Sequence, residues 1–379
     1  ATVAGVSEER GVLALPGFDP TLPLERAATI PAEWYTRPEV AQAERERVFA
    51  RTWLVAGRTD QVVQPGQFFT VDLAGEPILV IRGTDGVLRG FFNVCRHRAA
   101  RVATEECGTA TKLRCRYHGW TYDLAGELRG LPEFEGVADF ERDANGLRPV
   151  TVAEWGPFVF VHLTTPAQPL AEFLAPMPQL LEPLGLGQLA FVARKSYDLD
   201  CNWKVYCDNF LDGGYHVNTL HESLAAVLDY KNYRTELHGW CNVQSSPMKP
   251  PPPGSDGSAG SVRSGTTAAY WWLYPNFMLN AYSGVMDTNL VLPLAPDRCR
   301  VVFDFYFPRA AGAEATAEFQ RQSLAVADRI QAEDMDICAD VQRGLGSRSF
   351  STGRFSVRRE SGVHHFHRLL AEQLAGPLH

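Results

Sequence analysis

No stretch of this chain reaches the roughly 18–20 consecutive apolar residues that would span a bilayer, so a membrane partner is not expected. Lys/Arg tracts are missing as well. With 36 Lys and Arg against 44 Asp and Glu the formal charge is -8, which gives no electrostatic reason to seek a phosphate backbone, and nucleic acid is not an expected partner. Neither a glycine-rich dinucleotide fingerprint nor a P-loop is present, so no NAD or flavin is expected on this chain. Residues 1–17 lack a basic segment followed by an apolar one, and the expected location is the cytoplasm. Cysteine is sparse. Eight in 379 residues do not make a disulfide scaffold. What is present is core-forming material: 45% hydrophobic and 11% aromatic residues, enough for one large or two unequal domains.

The pattern along the chain is α+β, without internal repeats. A helix is expected over Arg37 to Phe49, where Val40, Ala43 and Val48 punctuate charged residues. Short strands follow at 67–71, 77–82, 90–94, 147–152 and 158–162, separated by Gly and Asp. Residues 46–162 therefore read as one compact unit of short strands. A Pro- and Leu-rich connection spans 163–187, and a strand covers 190–199. A helix begins near Cys201 and is broken at Gly213-Gly214, because paired glycines cost a regular helix conformational entropy. Residues 247–266 read as a surface loop, and four strands follow at 268–274, 277–283, 288–293 and 299–307. Phe319, Leu324, Ile330, Met335, Ile337 and Val341 recur near the helical period, predicting a long helix from about Ala313 to Leu345.

Two cysteines stand apart from the rest because each has a histidine close behind. Cys95-Arg96-His97 and, after 17 intervening residues, Cys115-Arg116-Tyr117-His118 make a C-x-H…C-x2-H arrangement. Two thiolates and two imidazoles suit either zinc or an iron–sulfur cluster. The single-residue spacer differs from the usual zinc hairpin. In a Rieske [2Fe–2S] centre two cysteines hold one iron and two histidines the other, a split that these loops can supply. The other six cysteines read as small buried hydrophobes.

A second constellation follows the expected helix break. His216 and His221 lie five residues apart, which on a regular helix turns one ring about 140° from the other. The break at Gly213-Gly214 would let them converge. With one carboxylate they would form the facial ligand set of oxygen-activating non-haem Fe(II). Asp334 on the long helix is the candidate, with Glu333 and Asp336 as rivals.

The run from Cys95-Arg96-His97-Arg98 to Cys115-Arg116-Tyr117-His118-Gly119-Trp120-Thr121-Tyr122 resembles the cluster domain of the Rieske non-haem iron oxygenases, ring hydroxylases and amine-oxidising members among them. The likeness extends from about Pro31 to the C-terminus. It implies an all-β Rieske domain at 46–162, joined to a catalytic mononuclear iron domain with an antiparallel sheet and flanking helices, formed by 1–45 and 163–379. It implies Cys95, His97, Cys115 and His118 as cluster ligands. His216, His221 and Asp334 would hold Fe(II), Asp334 matching within Glu333-Asp334-x3-Cys338-x2-Val341-Gln342-Arg343-Gly344-Leu345.

An acidic residue in the family bridges a cluster histidine of one subunit to an iron-ligand histidine of the next. Here the usual position, three before the first ligand, is Gly213, and Asp212 takes the role with Asp208 as runner-up. Asn209 would hydrogen-bond near the iron. The implied partners are O2, a small organic substrate and an NAD(P)H-dependent reductase, acting directly or through a ferredoxin. The implied assembly is a homotrimer.

Cys201 to Val217, Val341 to Leu345, Gly353-Arg354-Phe355 and His364 to Leu370 look closest to choline-monooxygenase-like members. That implies oxidation of a carbon next to a quaternary nitrogen. Aromatic faces attract such a cation, and Tyr270, Trp271, Trp272, Tyr274 and Tyr282 are candidates, of which strand alternation lets only some face a pocket. His364, His365 and His367 are read as packing residues. The alternatives are an aromatic-ring-hydroxylating oxygenase and an electron-transfer protein without catalytic iron. About two irons per chain would indicate the latter, about three an oxygenase.

Overall fold

The computed structural model describes residues 17–249, 263, 265–282, 284–309 and 316–375. Most of the loop expected at 247–266 and the first turn expected of the long helix lie outside these residues.

Two seven-stranded antiparallel sheets and one of three strands carry the chain. The first runs, edge to edge, Leu54–Arg58, Phe158–His162, Pro149–Trp155, Leu88–Phe92, Glu76–Arg82, Gln67–Leu73 and Cys107–Thr109. Its interior strand Glu76–Arg82 reads as a continuous apolar run because both faces are covered. Side chains alternate across a strand, so Ile78 and Val80 enter the main core while Leu79 and Ile81 enter the core that holds Cys95 and Cys115. Two strands escape the sequence pattern: Leu54–Arg58 is short and ends in Gly57-Arg58, and Cys107–Thr109 is an exposed edge with no apolar alternation. Cys107 is accordingly exposed, contrary to its reading as a buried hydrophobe, whereas Cys201, Cys207, Cys241, Cys299 and Cys338 are buried. The small sheet, Leu113–Arg114, Thr121–Tyr122 and Leu128–Gly130, carries the second Cys/His loop.

The second large sheet runs Leu189–Leu199, Arg298–Pro308, Val285–Ala295, Phe277–Tyr282, Thr267–Leu273, Cys241–Pro247 and Arg234–His238. Cys241–Pro247 was not foreseen, because its inward positions are polar: Asn242, Gln244 and Ser246 are buried while Val243 and Ser245 are less so. Helices flank this sheet. Trp203–Leu211 starts where the Asn202 side chain accepts the Lys204 N–H at 3.0 Å, a cap that satisfies an otherwise orphaned donor. It is bound to the N-terminal helix Pro38–Arg47 by a buried ion pair, Lys204 Nζ to Glu44 at 2.6 Å, and Trp203 Nε1 donates to the same carboxylate at 2.8 Å. The long helix Ala317–Leu345 buries one stripe, Val326, Ala327, Ile330, Gln331, Asp334 and Cys338. The C-terminal helix Ser361–Ala375 packs behind Trp203 through Phe366. No helix among the described residues is long and apolar enough to cross a membrane.

Candidate cluster and mononuclear iron sites

The first Cys/His motif folds as a tight loop. Cys95 N–H donates to Ala100 O at 2.9 Å and Ala99 N–H to Cys95 O at 3.0 Å. The second motif repeats this scheme, with Cys115 N–H donating to Trp120 O at 2.8 Å and Gly119 N–H to Cys115 O at 3.0 Å. Each loop turns on a left-handed residue, Ala99 at φ 57° and Gly119 at φ 74°. Asn93 pins the first loop, donating to Ala103 O at 2.7 Å and accepting the N–H groups of Val102 and Ala103 at 3.0 Å. The Tyr122 hydroxyl accepts Arg96 N–H at 3.0 Å and lies 3.4 Å from Cys95 Sγ.

Both thiols are buried and adjacent, and burial pushes the Cys95 thiol above its ordinary value, so a cation is needed to hold it as thiolate. The His97 and His118 rings lie 4.5 Å apart, and His97 stacks on Trp120 at 4.8 Å and 7°. His97 Nδ1 is buried without a hydrogen-bond partner among the described residues. Two buried sulfurs, one orphaned imidazole nitrogen and an outward-reaching second imidazole fit a Rieske cluster.

Beyond Leu211 the chain makes two left-handed turns, Gly213 at φ 69° and Gly214 at φ 68°. A Cβ at Gly213 would stand 2.1 Å from Arg359 O, and one at Gly214 2.8 Å from the Tyr233 ring. Only glycine fits. The break brings the rings of His216 and His221 to 4.9 Å, at opposite ends of the short helix Val217–Leu220. Asp334 Oδ1 lies 3.1 Å from His221 Nε2, and donor atoms of His216, His221 and Asp334 all fall within 4.8 Å of one another.

Each donor is held from behind. His216 Nδ1 meets Asp212 Oδ2 at 2.6 Å, His221 Nδ1 meets Glu333 Oε2 at 2.6 Å, and Asn209 Nδ2 donates to Asp334 Oδ1 at 2.8 Å. A carboxylate on Nδ1 fixes the tautomer and leaves Nε2 for a metal. Burial opposes protonation of His221, yet Asp334 and Glu333 together raise its pKa above the ordinary value. The site calls for positive charge, which Fe(II) would supply.

Comparison with known proteins places these geometries. Residues 52–141 match the family model "Rieske [2Fe-2S] domain", and residues 186–376 match "Ring hydroxylating alpha subunit (catalytic domain)". The chain belongs to the Rieske non-haem iron oxygenases. It is 40% identical to the chloroplastic choline monooxygenase of Arabidopsis thaliana over 94% of this chain and 85% of the relative. The carnitine monooxygenase oxygenase subunit of Escherichia coli K12 is 30% identical over 92% and 94%. A solved quaternary ammonium Rieske monooxygenase superposes with a TM-score of 0.83 at 26% identity, covering 94% of this chain and all of that one. The oxygenase thus carries a Rieske cluster and a mononuclear iron, and its fold is the expected α+β pairing of an all-β cluster domain with a helix-flanked antiparallel sheet. Oxygenase subunits of this family take electrons from a reductase or ferredoxin and assemble as multimers.

In the oxygenase a cavity opens onto His216, His221 and Asp334. Tyr233 stacks on Tyr270 at 6.3 Å, Tyr270 meets Tyr282 edge-on at 6.0 Å, and the Tyr282 hydroxyl donates to that of Tyr270 at 3.0 Å. Arg263 lies 5.1 Å over the Tyr282 ring. Asp287 is buried in the cavity wall, where desolvation pushes its carboxyl up against the opposing pull of Asn280 and Arg263.

Of the five aromatic candidates only Tyr270 and Tyr282 line the cavity. Trp271 points to the opposite face of its strand, while Trp272 and Tyr274 pack on Phe366. Tyr233, Arg263, Asn280, Asp287, Asn289 and Gln331 were not singled out in the sequence. The available signal was the unusual inward register of Asp287 and Asn289 in an otherwise apolar strand.

Asp208 is engaged elsewhere, accepting the Tyr35 hydroxyl at 2.5 Å and meeting His367 Nε2 at 3.0 Å. His367 Nδ1 accepts Ile30 N–H at 3.3 Å, so this network ties the N-terminal segment to two helices. His364 packs against Phe355 and His365 against Trp272. Asp336 is exposed on the long helix.

Proposed function

We propose that the chain is the terminal oxygenase of a quaternary-ammonium monooxygenase that hydroxylates a carbon next to the nitrogen. Cys95, His97, Cys115 and His118 hold the cluster; His216, His221 and Asp334 hold the iron. Residues 46–162 act as the relay domain, and 1–45 with 163–379 as the catalytic domain. Asp212, Glu333 and Asn209 aim the three iron ligands. When bound, the cluster stores and passes single electrons and the iron activates O2. Electrons come from an NAD(P)H-dependent reductase, directly or through a ferredoxin. The assembly is a homotrimer in which the exposed His118 of one subunit approaches Asp212 of the next, and its location is the cytoplasm. The similar solved enzyme was described with inter-subunit electron transfer, which supports that arrangement.

The observation that carries the substrate is the cavity wall: the rings of Tyr233, Tyr270 and Tyr282 and the buried carboxylate of Asp287 beside the iron ligands. A quaternary ammonium has no N–H to donate, so it is held by aromatic faces and a counter-ion. The polar lining of Asn280, Asp287 and Asn289 is a poor match for an arene, which would leave buried polar groups without partners. The relatives named for choline and carnitine support the same class. Hydroxylation next to nitrogen gives a carbinol that separates into a tertiary amine and an aldehyde.

The test reconstitutes the iron-loaded enzyme with a reductase and offers choline, carnitine, glycine betaine and benzoate. Oxygen uptake matched by product from a quaternary amine is expected. Product from benzoate alone would overturn the proposal.

A further inference from the structure

The tyrosines and Asp287 account for the cationic end of a substrate; they leave unexplained two amide donors in the same cavity, beside the unpartnered acceptor Asn280 Oδ1. Asn289 is 1% exposed and Gln331 2% exposed, and both line the cavity. Neither Asn289 Nδ2 nor Gln331 Nε2 has a hydrogen-bond partner among the described residues. A buried N–H2 left without an acceptor loses the hydration it had in the unfolded chain.

The polarity of both amides is set by their neighbours. Asn280 Nδ2 donates to Asp287 Oδ1 at 2.7 Å and to Asn289 Oδ1 at 2.8 Å. With Asp287 as the carboxylate that faces the ammonium, Asn280 donates to it. Asn289 then offers its oxygen to Asn280, which leaves its N–H2 as the free group. Gln331 Oε1 accepts the Tyr206 hydroxyl at 2.9 Å, leaving Nε2. Tyr206 and Asn209, three apart on one helix, grip Gln331 and Asp334, three apart on another. The Gln331 amide is therefore held by the same helix pair that holds an iron ligand.

We infer that Asn289 and Gln331 form an oxygen-reading subsite that donates hydrogen bonds to a hydroxyl or carboxylate on the carbon arm of the substrate, making them specificity-determining residues. The inference rests on the quaternary-ammonium reading of the cavity and extends it to the other end of the molecule. The ammonium sits among the tyrosines and Asp287. The oxygen, between a sheet residue and a helix residue, then fixes which carbon faces His216, His221 and Asp334. A substrate without that oxygen strands both donors, and a site built to hydrogen-bond its ligand rejects such an analogue strongly.

Calorimetry on the iron-loaded, unreduced enzyme tests this with three probes: choline, glycine betaine and oxygen-free ethyltrimethylammonium. At least one oxygenated probe is expected to bind about 10- to 100-fold tighter than ethyltrimethylammonium. Choline alone gaining assigns the subsite to a hydroxyl, and glycine betaine alone to a carboxylate. Asn289→Leu should shrink the gap to under about 3-fold by weakening only the oxygenated probe. Asn289→Asp keeps the shape, replaces the donor by an acceptor, and should weaken glycine betaine, whose carboxylate can only accept. Gln331→Met is the second-site control, with turnover showing the loss chiefly in KM. Equal binding of all three probes to the wild type would overturn the inference and leave the function standing. Failure of every quaternary amine to bind would overturn both.

Discussion

The two candidate metal sites are assembled in opposite ways. The cluster residues sit on two short loops of one small unit, each loop closed by backbone hydrogen bonds of its own. At the mononuclear site Asp334 meets a histidine 113 residues away in sequence, and each donor needs a separate side chain to aim it. Locally closed loops carry their geometry with them. The iron site exists only because two helices and a glycine break are docked in register, so its precision depends on the packing of the whole catalytic region.

The sharpest way to break this comparison is to delete one ligand at each site. Asp334→Ala should remove the mononuclear iron and abolish substrate-coupled oxygen uptake, taking iron from about three to about two per chain while the cluster's visible absorption persists. Cys95→Ser should do the reverse. If either substitution emptied both sites, their independence would be refuted.

Next in size is the ion pair behind the iron site. Lys204→Met leaves Glu44 buried and uncompensated, and unfolding by urea should show a loss of about 3–5 kcal/mol. Replacing Glu44 by Leu in the same protein should recover part of it.

Acid should also act on the catalytic region. Burial pushes the His365 ring down to about 4, with the charge of Arg368 adding to the effect and a backbone bond to Gly239 opposing it. Between about pH 6.5 and 4 the unfolded chain takes up a proton that the folded chain refuses. Stability therefore falls by about 3 kcal/mol as pH drops through that window. His365→Gln should flatten this part of a stability-against-pH curve, and an unchanged slope would place the acid sensitivity elsewhere.

The smallest effect sharpens the comparison most. Glu333→Ala removes only the partner of His221 Nδ1, and affinity at the mononuclear site should weaken about 10–100-fold. Iron titration of the variant with its cluster intact measures this directly.

How much was legible followed the same divide. The cluster motif could be read because ligand type and spacing lie within one continuous stretch, Cys95 to His118. His216 and His221 could be read once Gly213-Gly214 was recognised as a break, since positive φ is a local property of glycine. Asp334 stood beside Glu333 with nothing local to separate them. The fold gives each a task on the same imidazole, Asp334 at Nε2 and Glu333 at Nδ1. Cys241–Pro247 and the cavity wall at Asp287 and Asn289 were hidden for a common reason. Their inward positions are polar, which inverts the hydrophobic alternation that marks a strand.

By itself the amino-acid order determined the Cys/His spacing, the helix break and most strands, because these depend on neighbours within a few residues. Tertiary structure alone decided which carboxylate faces the iron site, which tyrosines face the cavity and which amides are left with a hydrogen bond to give. Those choices depend on the docking of the long helix against Trp203–Leu211 and on the register of the strands that carry Tyr270, Asn280, Asp287 and Phe303, and no local pattern encodes the distance between segments more than a hundred residues apart.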